Sequence, residues 1–489
     1  MRLFETKSVS RIIAESTGGA HQMKRTLGPM QLIALGIGAI IGSGLFSLTG
    51  VTAAQNSGPA VAVSMAIAAI GCAFAGLCYS EFSCMIPVAG SAYTYAYSTL
   101  GEWIAWIIGW DLVIEYAIGS ATVSISWSAY VASLLHGFHI DLPARWIAGP
   151  FEAVTLPDGS MAPGGYANIP AVIVVLLVSL LLMAGIQESA RVNAAIVLIK
   201  LAVVVVFIGV GWSYINAANY TPFVPANTGE FGAFGLSGLM MGAGTIFFAY
   251  IGFDAISTAA QECRNPQRDM PIGIIGSLAI CTVLYILFAL VLTGMVPYTQ
   301  LGVAAPVALA IDKTPYLWMN NLVKVGIICG FTSVILVMLL GQSRVFYSMS
   351  RDGLVPKIFS EIHPRLKTPW RSNILFFFFV APFSAFLPLN LVGRMTSIGT
   401  LFAFVIVCAG VWVMRVKNPG QARPFRTPWV PLVPILGMLV NFALMYSLGW
   451  SNWVRLIVWL VIGQAIYFGY GRRHSRLREL PAPAIDRQN

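Results

Sequence analysis

Charge is what this sequence has least of. Of 489 residues, 29 are Lys or Arg and 19 are Asp or Glu, so charged side chains make up 10% of the chain, against about 25% in a soluble domain. A surface so poor in charge faces lipid instead of water. Histidine is scarcer still. His21, His136, His139, His363 and His474 all fall at the edges or tails of apolar runs, which leaves none at the centre of a span for catalysis or metal binding. The seven cysteines (Cys72, Cys78, Cys84, Cys263, Cys281, Cys329, Cys408) show neither metal-ligand spacing nor an extracellular pair. No metal and no organic cofactor is expected. An intramembrane protease would need paired aspartates or a Ser–His constellation within the spans, and the sequence offers neither, so the chain is not expected to be an enzyme.

Apolar residues are what the chain has instead, at 57% and a mean hydropathy of +0.78. A hydrocarbon core of about 30 Å needs roughly 20 apolar residues per helix. Such runs recur at 30–53, 59–80, 102–136, 169–187, 190–215, 236–261, 271–296, 318–343, 372–389, 395–414, 430–449 and 452–470. Barrel strands would instead alternate over roughly ten residues each. The expectation is an all-α polytopic membrane protein of about twelve transmembrane helices, too many for a seven-helix receptor. The runs 372–389 and 395–414 are parted only by Asn390 to Arg394. The first run follows a long polar segment without a small-residue cleavage site, and reads as a retained helix.

The net charge of +10 is distributed by side. With an internal N-terminus, one face collects Arg2, Lys7, Arg11, Lys24 and Arg25, then Arg264 and Arg268. It also collects Arg351, Lys357, Arg365, Lys367 and Arg371, then Arg415, Lys417, Arg423 and Arg426, and finally Arg472, Arg473, Arg476 and Arg478. The other face holds Arg145, Lys313, Lys324, Arg394 and Arg455. That bias is the positive-inside rule. It predicts an even number of spans in the plasma (inner) membrane with both termini cytoplasmic. Charges in short alternating loops do not form a nucleic-acid face, so no nucleic acid is expected as partner. The terminal RRHSRLRE run reads as an anchor on anionic headgroups. The sequence sets no oligomeric state, and a monomer fits.

The predicted organisation is a cytoplasmic segment 1–28, a transport core 29–415 of ten spans, two further spans within 416–471, and a cytoplasmic tail 472–489. Residues 137–168, with LPDGSMAPGG, form an irregular outer loop. Residues 80–101 form an inner connection broken at Pro87. Two sets of five helices plus two extra ones fit the count, an arrangement in which secondary transporters join inverted halves through broken helices near the midplane.

Two spans carry such breaks. GIGAIIGSGLF places Gly36, Gly38, Gly42 and Gly44 in the first span, although each glycine costs about 1 kcal/mol in a helix interior. One reading is close helix packing through the Gly38–Gly42 GxxxG pair. The other is an unwound segment from Ile40 through Ile41 to Leu45. The amides of Gly42, Ser43 and Gly44 would then face an anion at the positive end of the outer half-helix, as a substrate carboxylate requires. In the sixth span FFAYIGFDA sets Gly252 and Asp254 in an apolar helix. Carbonyls freed at Phe248, Ala249 and Ile251 would accept from an ammonium group, since bare backbone at membrane depth occurs only where it is buried or lines a cavity.

Charged residues inside spans come next. Lys200 lies about ten residues into ARVNAAIVLIKLAVVVVFIG, roughly 15 Å deep. Burial disfavours a charged lysine, which makes it a candidate proton carrier; permanent pairing with a buried carboxylate is the alternative. Asp111 and Glu115 are four apart on one helix face. Either acid serves to pair with Lys200, to relay protons or to make buried hydrogen bonds. Asp254, beside the sixth-span break, is a further coupling candidate.

From about Leu27 to Gly471 the chain resembles the amino acid–polyamine–organocation transporter superfamily, and within it the bacterial branch of the cationic amino acid transporter family. The likeness rests on GIGAIIGSGLF, PVAGSAYTYAY at 87–97, FFAYIGFDAISTAAQECRNPQRDMPIGI at 247–274 and GQSRVFYSMSRDGLVP at 341–356. The resemblance implies a five-plus-five inverted-repeat fold, shared with the sodium-coupled leucine transporter, followed by two peripheral helices. It implies that Ser43 and Gly44 hold the substrate carboxylate while carbonyls of Ile40, Phe248 and Ile251 hold the amine. It also places Lys200 where an ammonium replaces the bound sodium of sodium-driven relatives, bridging the first, fifth and eighth helices, so the coupling ion is expected to be a proton. Met338 aligns with a pocket position that is small and polar in animal cationic transporters. Its apolar bulk predicts small or medium neutral L-amino acids such as alanine as substrates. Exchange of amino acids or amines, and import of arginine or lysine, are the alternatives.

Overall fold

A computed structural model describes residues 3–9, 12, 27–88, 91–152, 154–155, 161–162, 164–185, 190–258, 260, 263–366 and 368–477. In lipid a segment must satisfy its own peptide groups, which leaves the helix as the form for an apolar run. The first span has an inner half, Pro29–Ile40, and an outer half running through Gly44–Leu48, Thr49–Thr52 and Ala53–Ser57. The second is Val61–Met85. The third runs from Glu102 to Gly137 with a π turn at Ile114–Ile118. Ile169–Ala184 and Ala190–Trp212 are the fourth and fifth. The sixth is split into Gly235–Ile246, a 3-10 turn Phe247–Tyr250 and a short helix Ala255–Thr258. The seventh to twelfth are Pro266–Met295, Leu317–Arg351, Trp370–Phe386, Leu389–Lys417, Leu432–Ser447 and Trp450–Ile466.

Eight helical stretches among the described residues are long and apolar enough to cross a bilayer. Four shorter apolar helices accompany them, Pro29–Ile40, Ile169–Ala184, Trp370–Phe386 and Leu432–Ser447. The third and sixth spans are the most buried and the twelfth the least. The seventh span packs along the second and along the inner half of the first, the eighth along the third, and the tenth along the eleventh. The two broken spans therefore sit in the middle of the bundle, and leucines and valines of the fourth, fifth and twelfth spans face outward.

Three local expectations change. The ninth and tenth spans part at Leu387–Pro388, and residues 390–394 are helical. Their polar side chains are tolerated because they reach across to the end of the first span. Asn390 donates to Gln55 (3.2 Å) and Arg394 to Asn56 (3.1 Å). The connection 80–101 contains a helix, Ser91–Thr99, buried along its whole length. The outer loop contains a two-stranded hairpin, Val154–Thr155 with Met161–Ala162.

At the cation-rich end, Glu81 takes two bonds of 2.8 Å from Arg415 and one of 2.8 Å from the Thr427 amide, with Arg423 at 3.3 Å. A buried carboxylate is tolerated when it is paired and hydrogen-bonded in this way. The cluster fixes the loop between the tenth and eleventh spans to the second.

Candidate functional site

The inner half of the first span ends where Ile41 turns extended (ψ 105°), its amide still bonded to the Ile37 carbonyl at 2.9 Å. Beyond it the helical ladder stops. Among the described residues the amides of Gly42, Ser43 and Gly44 have no backbone acceptor, and the Leu45 and Phe46 amides both return to the Gly42 carbonyl at 3.2 Å. The outer half-helix thus presents three bare N–H groups at its positive end, beside the buried, unbonded Ser43 hydroxyl. In the sixth span Ile251 is extended (ψ 136°) and Gly252 has φ +120°, a conformation that favours glycine. The Phe248 carbonyl is taken by the Ile251 amide at 3.2 Å, while among the described residues no backbone amide outside the helices donates to the Ile251 carbonyl.

The two breaks fit together reciprocally. A side chain at Gly44 would overlap the backbone of Ala249. A Cβ at Gly252 would lie 2.7 Å from the carbonyl oxygen of Ala39. Each break needs its glycine because the other chain occupies the space. Ile40, Ile41, Gly42, Ser43, Gly44, Phe248, Ala249, Ile251 and Gly252 are thereby brought to one place, all of them buried.

Ending a helix in mid-bilayer strands its last carbonyls, and side chains from other spans supply them. The Lys200 ammonium donates to the Gly38 carbonyl at 2.7 Å, the bond the Gly42 amide would have made in a continuous helix. The negative end of a helix dipole favours a cation there. Tyr285 of the seventh span places its hydroxyl 2.8 Å from the Ile40 carbonyl and 3.0 Å from that of Ala249. One proton therefore serves both breaks. The Lys200 chain lies against Gly330, where a Cβ would come within 2.9 Å of its Cε. The fifth span thus touches the first and the eighth through this side chain.

The acids sit elsewhere. Asp254 accepts from the Tyr116 hydroxyl at 2.7 Å and lies 3.5 Å from that of Ser91. Glu115, in the π turn of the third span, lies beside Asp254, with neither of its oxygens in an aligned hydrogen bond. Asp111 faces the tenth span at Gly399, where a Cβ would be 3.2 Å from its oxygen. Among the described residues no ion pair joins Lys200 to Asp111, Glu115 or Asp254. Its ammonium is bonded instead to a peptide carbonyl, that of Gly38.

Met338 is buried against the third span, its sulfur 3.3 Å from the position of a Cβ at Gly119. Val334, one turn earlier, lies over Gly42, 3.5 Å from where a Cβ there would stand. The residue of the eighth span that meets the first break is thus Val334. Neither Tyr285 nor Val334 was legible as a site residue, since tyrosine and valine are ordinary in apolar spans. Only their place opposite a break marks them.

Residues 27–470 match the model of a family described as amino acid permease. The chain is 43% identical over 480 residues to the branched-chain amino acid permease BcaP of Bacillus subtilis, covering 98% of this chain and 99% of that one. It is 42% identical over 477 residues to the methylthioribose transporter of the same organism, covering 98% and 99%. A vacuolar cationic amino acid transporter of Arabidopsis thaliana is 30% identical, covering 97% and 96%. Broken spans meeting at mid-bundle and a family match along nearly the whole length agree: the chain belongs to the amino acid permease family, and is a membrane-embedded transporter and not an enzyme.

Proposed function

We propose that this permease imports neutral L-amino acids together with a proton, by alternating access around the paired breaks. The observation that carries the reading is the row of three bare amides at Gly42, Ser43 and Gly44. Buried N–H groups without backbone acceptors at a positive helix end suit a carboxylate. The carbonyls of Ile251 and Phe248 lie on the opposing break, where the α-ammonium belongs. Of the side chains beside the breaks, Ala249 and Val334 are apolar, while Ser43 and Tyr285 end in neutral hydroxyls. None is a carboxylate for a guanidinium or a second ammonium, which weighs against arginine and lysine. The expected preference is for small or medium neutral amino acids such as alanine; the likeness to a branched-chain permease draws it toward leucine, isoleucine and valine. A thio-sugar, as in the name of the other relative, has no carboxylate for the three amides.

Competition for uptake in proteoliposomes tests this. Excess leucine or alanine is expected to block uptake of labelled leucine, whereas arginine, methylthioribose and 3-methylbutylamine, which is leucine without its carboxylate, leave it largely intact. Equal competition by the amine would remove the carboxylate site.

For coupling, Lys200 is the proton carrier we favour, with Asp254, Glu115 and Asp111 as a separate acidic group beyond the sixth-span break. An ammonium tied to the end of the inner half-helix holds that half in place, and losing its proton weakens the hold. Exchange without protons is the alternative. Uptake driven by an inward pH gradient into vesicles free of substrate supports symport; uptake only after preloading supports exchange. The charge bias supports a cytoplasmic side for the cation-rich end and for both termini.

A further inference from the structure

We infer that a groove at the cation-rich end of the bundle is a binding site for one anionic phospholipid, and that this lipid braces the inner half of the first span. The groove is an open cleft of about 610 Å³ between the first turns of the seventh span and the loop before the eleventh. Its floor is apolar: Pro271, Ile272, Ile275, Gly276 and Phe425. Arg268 stands at its rim. Ile272 and Ile275 are exposed on the bundle's outer surface, within two turns of Arg268.

Charge complementarity commits the groove to an anionic occupant. Arg268 is exposed, and among the described residues its guanidinium has no ion-pair or hydrogen-bond partner. Arg426, next in sequence to Phe425, is exposed as well. Basic pockets between spans on the cytoplasmic side take anionic headgroups. A free phosphate has no use for an apolar floor of this size, whereas a phospholipid fills both parts, phosphate on Arg268 and acyl chain along Ile272, Ile275 and Phe425.

The groove wall also packs against the inner half of the first span. A Cβ at Gly276 would lie 3.0 Å from Ile33, and one at Gly273 2.8 Å from Leu32, both on the inner half-helix Pro29–Ile40. That half ends at the break, held there through Gly38 and Ile40. A lipid chain pressed on the seventh span from outside limits how far the half-helix can swing outward.

Native mass spectrometry of the purified full chain tests the binding, with phosphatidylglycerol and phosphatidylcholine of identical acyl chains. Phosphatidylglycerol is expected to be retained several-fold better. Arg268→Gln is expected to lower its retention about fivefold, the worth of one cation at a membrane surface, while Arg473→Gln, which removes a charge from the same face, leaves it near wild type. Equal retention of the two lipids, an equal loss in both variants, or displacement of the lipid by millimolar inorganic phosphate would each overturn the site. Hydrogen exchange in nanodiscs tests the bracing. Amides of residues 29–40 are expected to exchange more slowly with phosphatidylglycerol in the wild type and indifferently in Arg268→Gln. Unchanged exchange in the wild type would refute the brace. Neither readout involves transport, so both stand apart from the substrate and coupling proposals.

Discussion

At the scale of single residues, the informative positions are those that break the rule of an apolar span. Glycine, lysine and aspartate are costly there, so Gly42, Gly44, Lys200, Gly252 and Asp254 were legible before any coordinates. What composition does not reveal is who answers them. Lys200 was read with two acids, Asp111 and Glu115, as possible partners, yet it donates to the Gly38 carbonyl, because a peptide group freed by a helix break leaves no trace in a residue's identity. The same holds for Tyr285, one tyrosine among 17, whose hydroxyl spans both breaks. The pairing leads to a prediction. Lys200→Met keeps the aliphatic bulk against Gly330 but removes the donor and the titrating group. Uptake of labelled substrate is expected to lose its response to an inward pH gradient, so that lowering the outside pH no longer raises the rate. A variant that still follows the gradient like the wild type would move coupling to Glu115 and Asp254.

At the scale of elements, the breaks were legible and the helix ends less so. Asn390–Arg394 looked like a loop because it is polar, but polar side chains at the start of a helix reach sideways to Gln55 and Asn56 while their backbone stays in the ladder. The π turns at Gly44–Leu48 and Ile114–Ile118 left no signal either, since one extra residue in a turn changes register without changing composition. The reciprocal fit of the breaks gives the prediction proper to this scale. Gly44→Ala puts a methyl where the backbone of Ala249 lies. The sixth span must then shift, at a cost of about 1–3 kcal/mol for overpacking. Transport is expected to fall at least about tenfold, because misplacing the two breaks separates carboxylate site from ammonium site; each 1.4 kcal/mol is worth a factor of ten. Gly209→Ala is the control. A Cβ there meets nothing within 4 Å, and melting temperature and uptake are both expected to match or slightly exceed wild type, as alanine favours helix by about 1 kcal/mol. Equal loss in both variants would point to general intolerance of substitution and not to the fit of the breaks.

At the scale of the whole molecule, alternating access requires that one end be closed while the other opens, and the cation-rich end is tied by parts distant in sequence. Lys7 pairs with Asp352 at 2.9 Å, with the two side chains 9% and 17% exposed, and the Tyr93 hydroxyl donates to the same carboxylate at 2.7 Å. The amides of Lys7, Glu102 and Trp103 bond to the carbonyls of Tyr97, Glu5 and Leu3, each at 3.1 Å, so the N-terminal segment lies along the Ser91–Thr99 helix and the start of the third span. Glu102 accepts from Tyr97, Tyr467 and Ser475, and the Arg476 amide donates to the Asp352 carbonyl at 3.0 Å. The sequence showed that cations gather at this end, but not that Lys7 would be spent inward on the end of the eighth span, because an exposed tail and a clasp have the same composition. Asp352→Asn removes the charge while keeping the shape. Lys7 then sits largely buried without this carboxylate, a loss that for buried pairs runs to about 3–5 kcal/mol and here is smaller, since some water still reaches Asp352. Exchange of the Lys7, Glu102 and Trp103 amides is expected to speed up about tenfold or more, while amides around Asn390 and Arg394 at the opposite end keep their rates. Selective loosening identifies a clasp on one face. If both ends quicken together, Asp352 supports the fold as a whole; if neither does, the pair contributes no closure, and the face must be held by the Glu81–Arg415 cluster instead.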